Sequence, residues 1–222
     1  VSATTRPTVN TLATNENQPL LTGLYDTTDF GSLGVTVDGT TYLVGDGHLS
    51  VDGSGTWTLD LKTNPITPLT DGTYDVTATV TDLNGNVLSD DTSNELLVDT
   101  APPLAPTVVD LATGDTTPII TGTFQSADTD QLFVSLFYDD NGTTVEIGPF
   151  ELGVDAELTN TGDDWTLNLG GISQPLDNNT TYTVVATAYD AVGNSGVDDG
   201  SLILVDTSVE DTTPPINPTV SS

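Results

Sequence analysis

The run Thr73-Tyr74-Asp75-Val76-Thr77-Ala78-Thr79-Val80-Thr81 alternates apolar and polar positions without a break. Tyr74, Val76, Ala78 and Val80 fall on one side, and Asp75 and the threonines fall on the other. A period of two is the mark of a strand with one buried and one wet face. The segment has a counterpart 108 residues on, where Tyr74 corresponds to Tyr182, Ala78 to Ala186, Asp82 to Asp190 and Gly85-Asn86 to Gly193-Asn194.

The repeat extends over most of the chain. Trp57-Thr58-Leu59 matches Trp165-Thr166-Leu167 at the same spacing, while Leu12-Ala13-Thr14 and Pro19-Leu20-Leu21-Thr22-Gly23 recur 99 residues later as Leu111-Ala112-Thr113 and Pro118-Ile119-Ile120-Thr121-Gly122. Pro7-Thr8-Val9 occurs three times, again at Pro106 and Pro218. The reading is two complete units, 1–101 and 102–209, with 210–222 as a linker and the start of a third. The change of spacing puts about nine extra residues in unit two, around Asp139 to Asp155. The chain reads as a piece of something longer.

Seven short strands are expected in unit one, near Thr8–Leu12, Leu20–Tyr25, Leu33–Val37, Thr41–Val44, Thr56–Leu61, Thr73–Thr81 and Asn94–Val98. Val37-Asp38-Gly39-Thr40 is a two-residue hairpin signal. No segment carries a sustained helical period with caps. Short antiparallel strands over about 100 residues imply an all-β chain of two tandem immunoglobulin-like sandwiches in an elongated array, without the usual intersheet disulfide.

Composition narrows the function. The 222 residues carry 33 Asp and Glu against 2 Lys and Arg, a formal net charge of -31. Basic side chains are what displace counterions from phosphates and anionic lipids, so nucleic acid and acidic membrane surfaces are excluded as partners. With no Cys and one His, thiol chemistry and multi-histidine zinc sites are excluded too. No apolar stretch approaches a membrane helix, and Val1 does not open a signal peptide. Asp outnumbers Glu 27 to 6, which suits turns and loops that hold hard cations better than helical surfaces.

The run from Asp71-Gly72-Thr73-Tyr74 through Asp82-Leu83-Asn84-Gly85-Asn86, preceded by Gly53-Ser54-Gly55-Thr56-Trp57, resembles tandem bacterial immunoglobulin-like repeats. Such repeats form the extender regions of giant secreted adhesins, including RTX-type biofilm adhesins and the related Antarctic ice-binding adhesin. The resemblance implies repeats on the bacterial cell surface that bind calcium, stiffen into a rod and hold a separate binding domain away from the cell. Unit two departs from it at Asn179-Thr180-Thr181-Tyr182, where unit one has Asp71-Gly72-Thr73-Tyr74.

The carboxylates point the same way independently. With almost no bases to neutralise them, acids crowded at the ends of successive units repel, and Ca2+ accepts six to eight oxygen ligands in irregular geometry where magnesium demands an octahedron. In a seven-strand sandwich the loops after the second and sixth strands share an end with the N-terminus. Asp128, Asp130, Asp190 and Asn194 of unit two are therefore expected to face Asp99-Thr100 at the exit of unit one, with Asn15, Glu16, Asn17 and Asp71 contributing and Pro102-Pro103 restricting the linker. By repetition, Asp26, Asp29, Asp82, Asn84 and Asn86 would face a preceding unit, and Asp206, Glu210 and Asp211 the third. The partners so expected are neighbouring repeats of the same chain, in a monomer.

Asp and Asn also cap turns without a metal. The segment Asp82 to Asn86 lacks the helices and the twelfth-position Glu of an EF-hand. His48, in a Gly-rich turn with no counterpart in unit two, reads as an exposed loop residue. The pairs Asp90-Asp91, Asp139-Asp140, Asp163-Asp164 and Asp198-Asp199 read as solvated or calcium-linked, not as a hydrolase pair, so no catalytic residue is expected. Trp57 and Trp165 read as core. A carbohydrate- or ice-binding adhesin module is the alternative, and an open groove lined by aromatics would favour it.

Overall fold

The computed structural model describes residues 5–63 and 66–208. Contacts divide the chain into two compact units, Val1–Ala101 and Pro102–Ser222. Among the described residues, strands make up both units, apart from one 3-10 turn at Leu169–Gly171.

Unit one contains β1 (Thr8–Val9), β2 (Leu12–Thr14), β3 (Leu20–Leu24), β4 (Phe30–Val37), β5 (Thr40–Leu43), β6 (Leu49–Val51), β7 (Thr56–Asp60), β8 (Gly72–Tyr74), β9 (Val76–Asp82), β10 (Val87–Ser89) and β11 (Leu96–Val98). They form sheets in the orders β1-β3-β7-β6, β10-β9-β4-β5 and β2-β11-β8. The first strand was expected to be continuous. Instead it breaks after Val9, because the chain changes sheets: β1 pairs antiparallel with β3, and β2 pairs parallel with β11. The long strand is also interrupted, at Asp75. There the carboxylate of Asp75 accepts the Asn94 N–H at 2.7 Å and that of Glu95 accepts the Val76 N–H at 2.9 Å, so side chains replace the backbone ladder for one step. Strands β6 and β10, three residues each, are too short to show a period in sequence.

Unit two repeats the plan with β12 (Thr107–Val108), β13 (Leu111–Thr113), β14 (Ile119–Thr123), β15 (Gln131–Asp140), β16 (Thr143–Glu151), β17 (Leu158–Thr161), β18 (Asp164–Asn168), β19 (Thr180–Tyr189) and β20 (Ser195–Val205). Its sheets are β12-β14-β18-β17 and β13-β20-β19-β15-β16. The extra residues lengthen the β15–β16 hairpin. In unit one the hairpin turns at Asp38 (φ 48°) and Gly39 (φ 71°), and in unit two at Asn141 (φ 53°) and Gly142 (φ 89°). Two successive positive φ values are the type I′ geometry that suits the twist of the flanking strands.

Each core is filled by the alternating inward residues. In unit one these include Leu21, Val35, Trp57, Leu59, Val76, Ala78, Val80 and Leu96, and in unit two Ile120, Val134, Trp165, Leu167, Tyr182, Val184, Ala186 and Ile203. Both tryptophans are wholly buried, as expected. Trp57 donates its Nε1–H to the Thr8 carbonyl at 3.0 Å, and Trp165 does the same to Thr107 at 3.1 Å. The indole and the carbonyl leave no room for a side chain between them. A Cβ on Gly23 would lie 1.9 Å from Thr8 O and 2.5 Å from Trp57 Cζ2, and one on Gly122 would lie 1.8 Å and 2.5 Å from the equivalent atoms. The Thr-Gly shared by both repeats is thus a packing requirement.

Gly23→Ala and Gly122→Ala are expected to destabilise their own unit by about 3 kcal/mol or more, since rigid backbone must shift. Gly53→Ala, with nothing within 4 Å of its Cβ, is expected to stay within about 0.5 kcal/mol of the parent. Thermal unfolding of the three variants checks the contrast.

Candidate functional site

The residues expected to bind metal lie on loops at the sandwich ends. At the β11 end of unit one, the Asp71 carboxylate accepts the Thr100 N–H at 2.9 Å and the Thr100 hydroxyl at 2.8 Å, while Asp99 accepts the Ala101 N–H at 3.1 Å. Glu16 lies just beyond β2, whose Thr14 pairs with Val98, and forms an exposed ion pair with Lys62 at 2.6 Å. Asp71 and Thr100 are therefore brought together directly.

At the opposite end of unit one, Asp82 is buried and accepts the Asn84 and Asn86 N–H groups on Oδ1, each at 2.8 Å, and Asn86 Nδ2 on Oδ2 at 2.8 Å. The Asp29 carbonyl accepts the Leu83 N–H at 3.0 Å, joining the β3–β4 loop to the β9–β10 turn, and Asp26 Oδ1 accepts the Thr28 N–H. Unit two builds the same turn: Asp190 Oδ1 takes the N–H groups of Val192 and Asn194 at 2.9 Å, and Oδ2 takes Asn194 Nδ2 at 2.7 Å. Asp128 and Asp130 bind through their own N–H groups to the Gln125 and Tyr189 carbonyls. Asp206 accepts the N–H and hydroxyl of Ser208. Glu210 and Asp211 lie outside the described residues.

Hydrogen bonding dominates the electrostatics of these turns. Burial raises the Asp190 carboxyl, but the Asn194 side chain and the turn N–H groups outweigh it and hold the group below its ordinary value. The Ser208 hydroxyl and N–H lower Asp206 likewise. Among the described residues no three Asp, Glu or His side chains gather as a metal would need. The carboxylates of Asp26, Asp71, Asp82, Asp99, Asp190 and Asp206 thus act as acceptors for backbone amides within their own unit.

Sequence reasoning placed the departure of unit two at Asn179. The structure gives the equivalent role to Asn178, whose Oδ1 accepts the Thr207 N–H at 2.7 Å as Asp71 accepts Thr100. Asn179, at φ 55°, is the residue between it and Thr180, which pairs with Val205 as Gly72 pairs with Val98. The residue type at the turn changes, and the hydrogen bond that closes the end of the unit survives.

The paired acids also serve the backbone. Asp90 accepts the Ala78 N–H, Asp139 the Gly142 N–H, Asp163 the N–H and hydroxyl of Ser126, and Asp198 the Val108 N–H. His48 is half-buried rather than exposed. Its ring lies edge-on to Tyr42 at 5.2 Å, and Nδ1 lies 3.1 Å from the Asp60 carbonyl. Sequence inspection missed this because the partner is a backbone carbonyl across the β6–β7 pair.

Asp190→Asn is expected to lower the stability of unit two by about 1–2 kcal/mol at pH 7, the worth of charge-assisted bonds to the turn. Because the folded-state pKa is depressed, this contribution is present above the unfolded value of about 3.9 and is lost as pH falls through the folded value. The difference in melting temperature between parent and variant is therefore expected to be full at pH 5 and above and to vanish toward pH 2. A constant difference would show that the charge is not the cause.

Comparison with known proteins fits this architecture. Residues 7–100, spanning unit one, match the family model described as a bacterial Ig-like domain. No curated protein matches the chain. A structure of titin domains is similar at a TM-score of 0.50 and 10% identity, covering 87% of this chain and 60% of that one. The fibronectin(III)-like modules of Clostridium thermocellum CbhA are similar at 0.45 and 12% identity, covering 94% and 98%. A structure from a 1.5-MDa bacterial ice-binding adhesin is similar at 0.44 and 18%, covering 93% and 67%. The titin likeness shows the fold alone. The chain is a pair of tandem Ig-like β-sandwich repeats, the first of which matches the bacterial Ig-like domain.

Proposed function

We propose that these repeats are structural extender units of a bacterial surface adhesin, whose work is to supply length between the cell and a distal ligand-binding domain, and that they carry no enzymatic activity. The observation that supports this most is repetition itself. Two copies of one sandwich keep the same Gly–Trp packing and the same Asp-capped turn on a chain with a formal charge of -31. Selection for a binding pocket alone gives no reason to duplicate the scaffold features. Among the described residues no helix is long and apolar enough to cross a membrane, and the absence of cysteine leaves the sandwiches to packing and hydrogen bonds.

The reading includes calcium at the junctions of successive repeats. Its support is compositional: 33 acids against 2 bases, concentrated as Asp in end loops, with Pro102 and Pro103 in the linker. Carboxylates there would supply hard oxygen ligands, and calcium would offset their repulsion. A bound ion stabilises the state it selects by RT ln(1 + [L]/Kd), about 2.7 kcal/mol per site at a hundredfold excess over Kd.

Thermal unfolding and small-angle scattering in millimolar calcium, then in EDTA at matched ionic strength, test it. Calcium is expected to raise the melting temperature and lengthen the average particle, with magnesium markedly weaker. Identical curves in calcium, magnesium and EDTA would remove calcium from the reading.

A further inference from the structure

The lengthened hairpin of unit two does more than add surface. Tyr138 of β15 and Ile147 and Phe150 of β16 pack against the core at the edge of the sandwich, and with Ile172, Glu157 and Glu146, whose Oε1 accepts the Ser135 hydroxyl at 2.8 Å, they line a cleft of about 430 Å³. That is within the range of small-ligand sites. Unit one has a smaller hollow of about 260 Å³ beside its own β4–β5 hairpin.

The two units differ at one decisive place. The Asp60 N–H binds the carbonyl of His48 in unit one, and the Asn168 N–H binds that of Glu157 in unit two, so Glu157 stands where His48 stands. In unit one the His48 ring packs on Tyr42. In unit two a carboxylate takes its place at the mouth of an aromatic cleft, and the missing Cβ of Gly171 would lie 3.3 Å from Glu157 Oε1. The fold does not need this arrangement, since unit one does without it.

Charge selects the ligand. The described part of unit two, 102–208, holds seventeen acidic residues and no Lys or Arg, so its net field disfavours an anion, and the cleft has no cationic side chain to receive one. A cation on an apolar body satisfies both halves of the site, with its charge at Glu157 and its stem among Tyr138, Ile147 and Phe150. We propose that the cleft of unit two is a binding site for a small organic ammonium ion carried on an apolar or aromatic stem. This site goes beyond the extender reading and does not depend on calcium.

Three probes of similar size and different charge test it on the full chain by NMR chemical-shift titration: 2-phenylethylammonium, 2-phenylethanol and phenylacetate. The cation is expected to shift Tyr138, Ile147 and Ile172 and to bind about fivefold or more tighter than the alcohol, the anion weakest, with the preference shrinking in 1 M salt. Glu157→Gln is expected to reduce the preference for the cation over the alcohol severalfold while leaving the alcohol unchanged. Glu157→His, which copies unit one, is expected to weaken the cation similarly. Equal binding of cation and alcohol in the parent, shifts spread over the acidic surfaces of both units, or preferential saturation of the cleft by a methyl glycoside would each overturn the proposal.

Discussion

Everything in these sandwiches hangs on an indole that reaches under a glycine to a backbone carbonyl. Trp57 and Trp165 fill the centres of their cores, and their N–H groups hold Thr8 and Thr107 on the short first strands. A two-residue strand has almost no ladder of its own. Its few bonds to the neighbouring strand are supplemented from the core by the tryptophan, and the tryptophan can approach only because Gly23 and Gly122 have no side chain. In a cysteine-free sandwich, this contact ties sheet edge to core where a disulfide is absent.

Much of the architecture was legible because it rests on a period of two and on a repeat. Alternation at Tyr74, Val76, Ala78 and Val80 identified the inward face, and Asp38-Gly39 identified the hairpin, since only residues tolerant of positive φ make that turn. What escaped were features set by distant partners. The sheet switch after Val9 depends on β3 and β11, which lie elsewhere in sequence. The break at Asp75 depends on Glu95, a buried acid that nothing in its own neighbourhood announces.

The acidic residues carry a similar lesson at the candidate sites. Their excess and their preference for Asp are visible in composition, and the structure brings Asp82 to Asn86, and Asp190 to Asn194, within one turn each. What they do together in the structure is close a turn. A carboxylate with two main-chain amides on one oxygen and a side-chain amide on the other is well satisfied, and its charge helps explain why Asp recurs there. The cleft of unit two was the least legible feature. It arises from an insertion whose location could be read and from the Glu157 position, whose equivalence to His48 becomes visible only through matching backbone hydrogen bonds.

The parallel pairing of β2 with β11, and of β13 with β20, has a mechanical consequence. In each unit these are the second strand and the last, and they point the same way. Tension applied through the chain ends therefore slides one past the other, loading the hydrogen bonds along the pair in shear and together, whereas a hairpin pulled at its open end would unzip them one at a time. The three residue pairs from Leu12 to Thr14 against Leu96 to Val98 form such a clamp, and so do Leu111 to Thr113 against Ile203 to Val205. Each repeat thus meets a pull along its backbone with its strongest geometry.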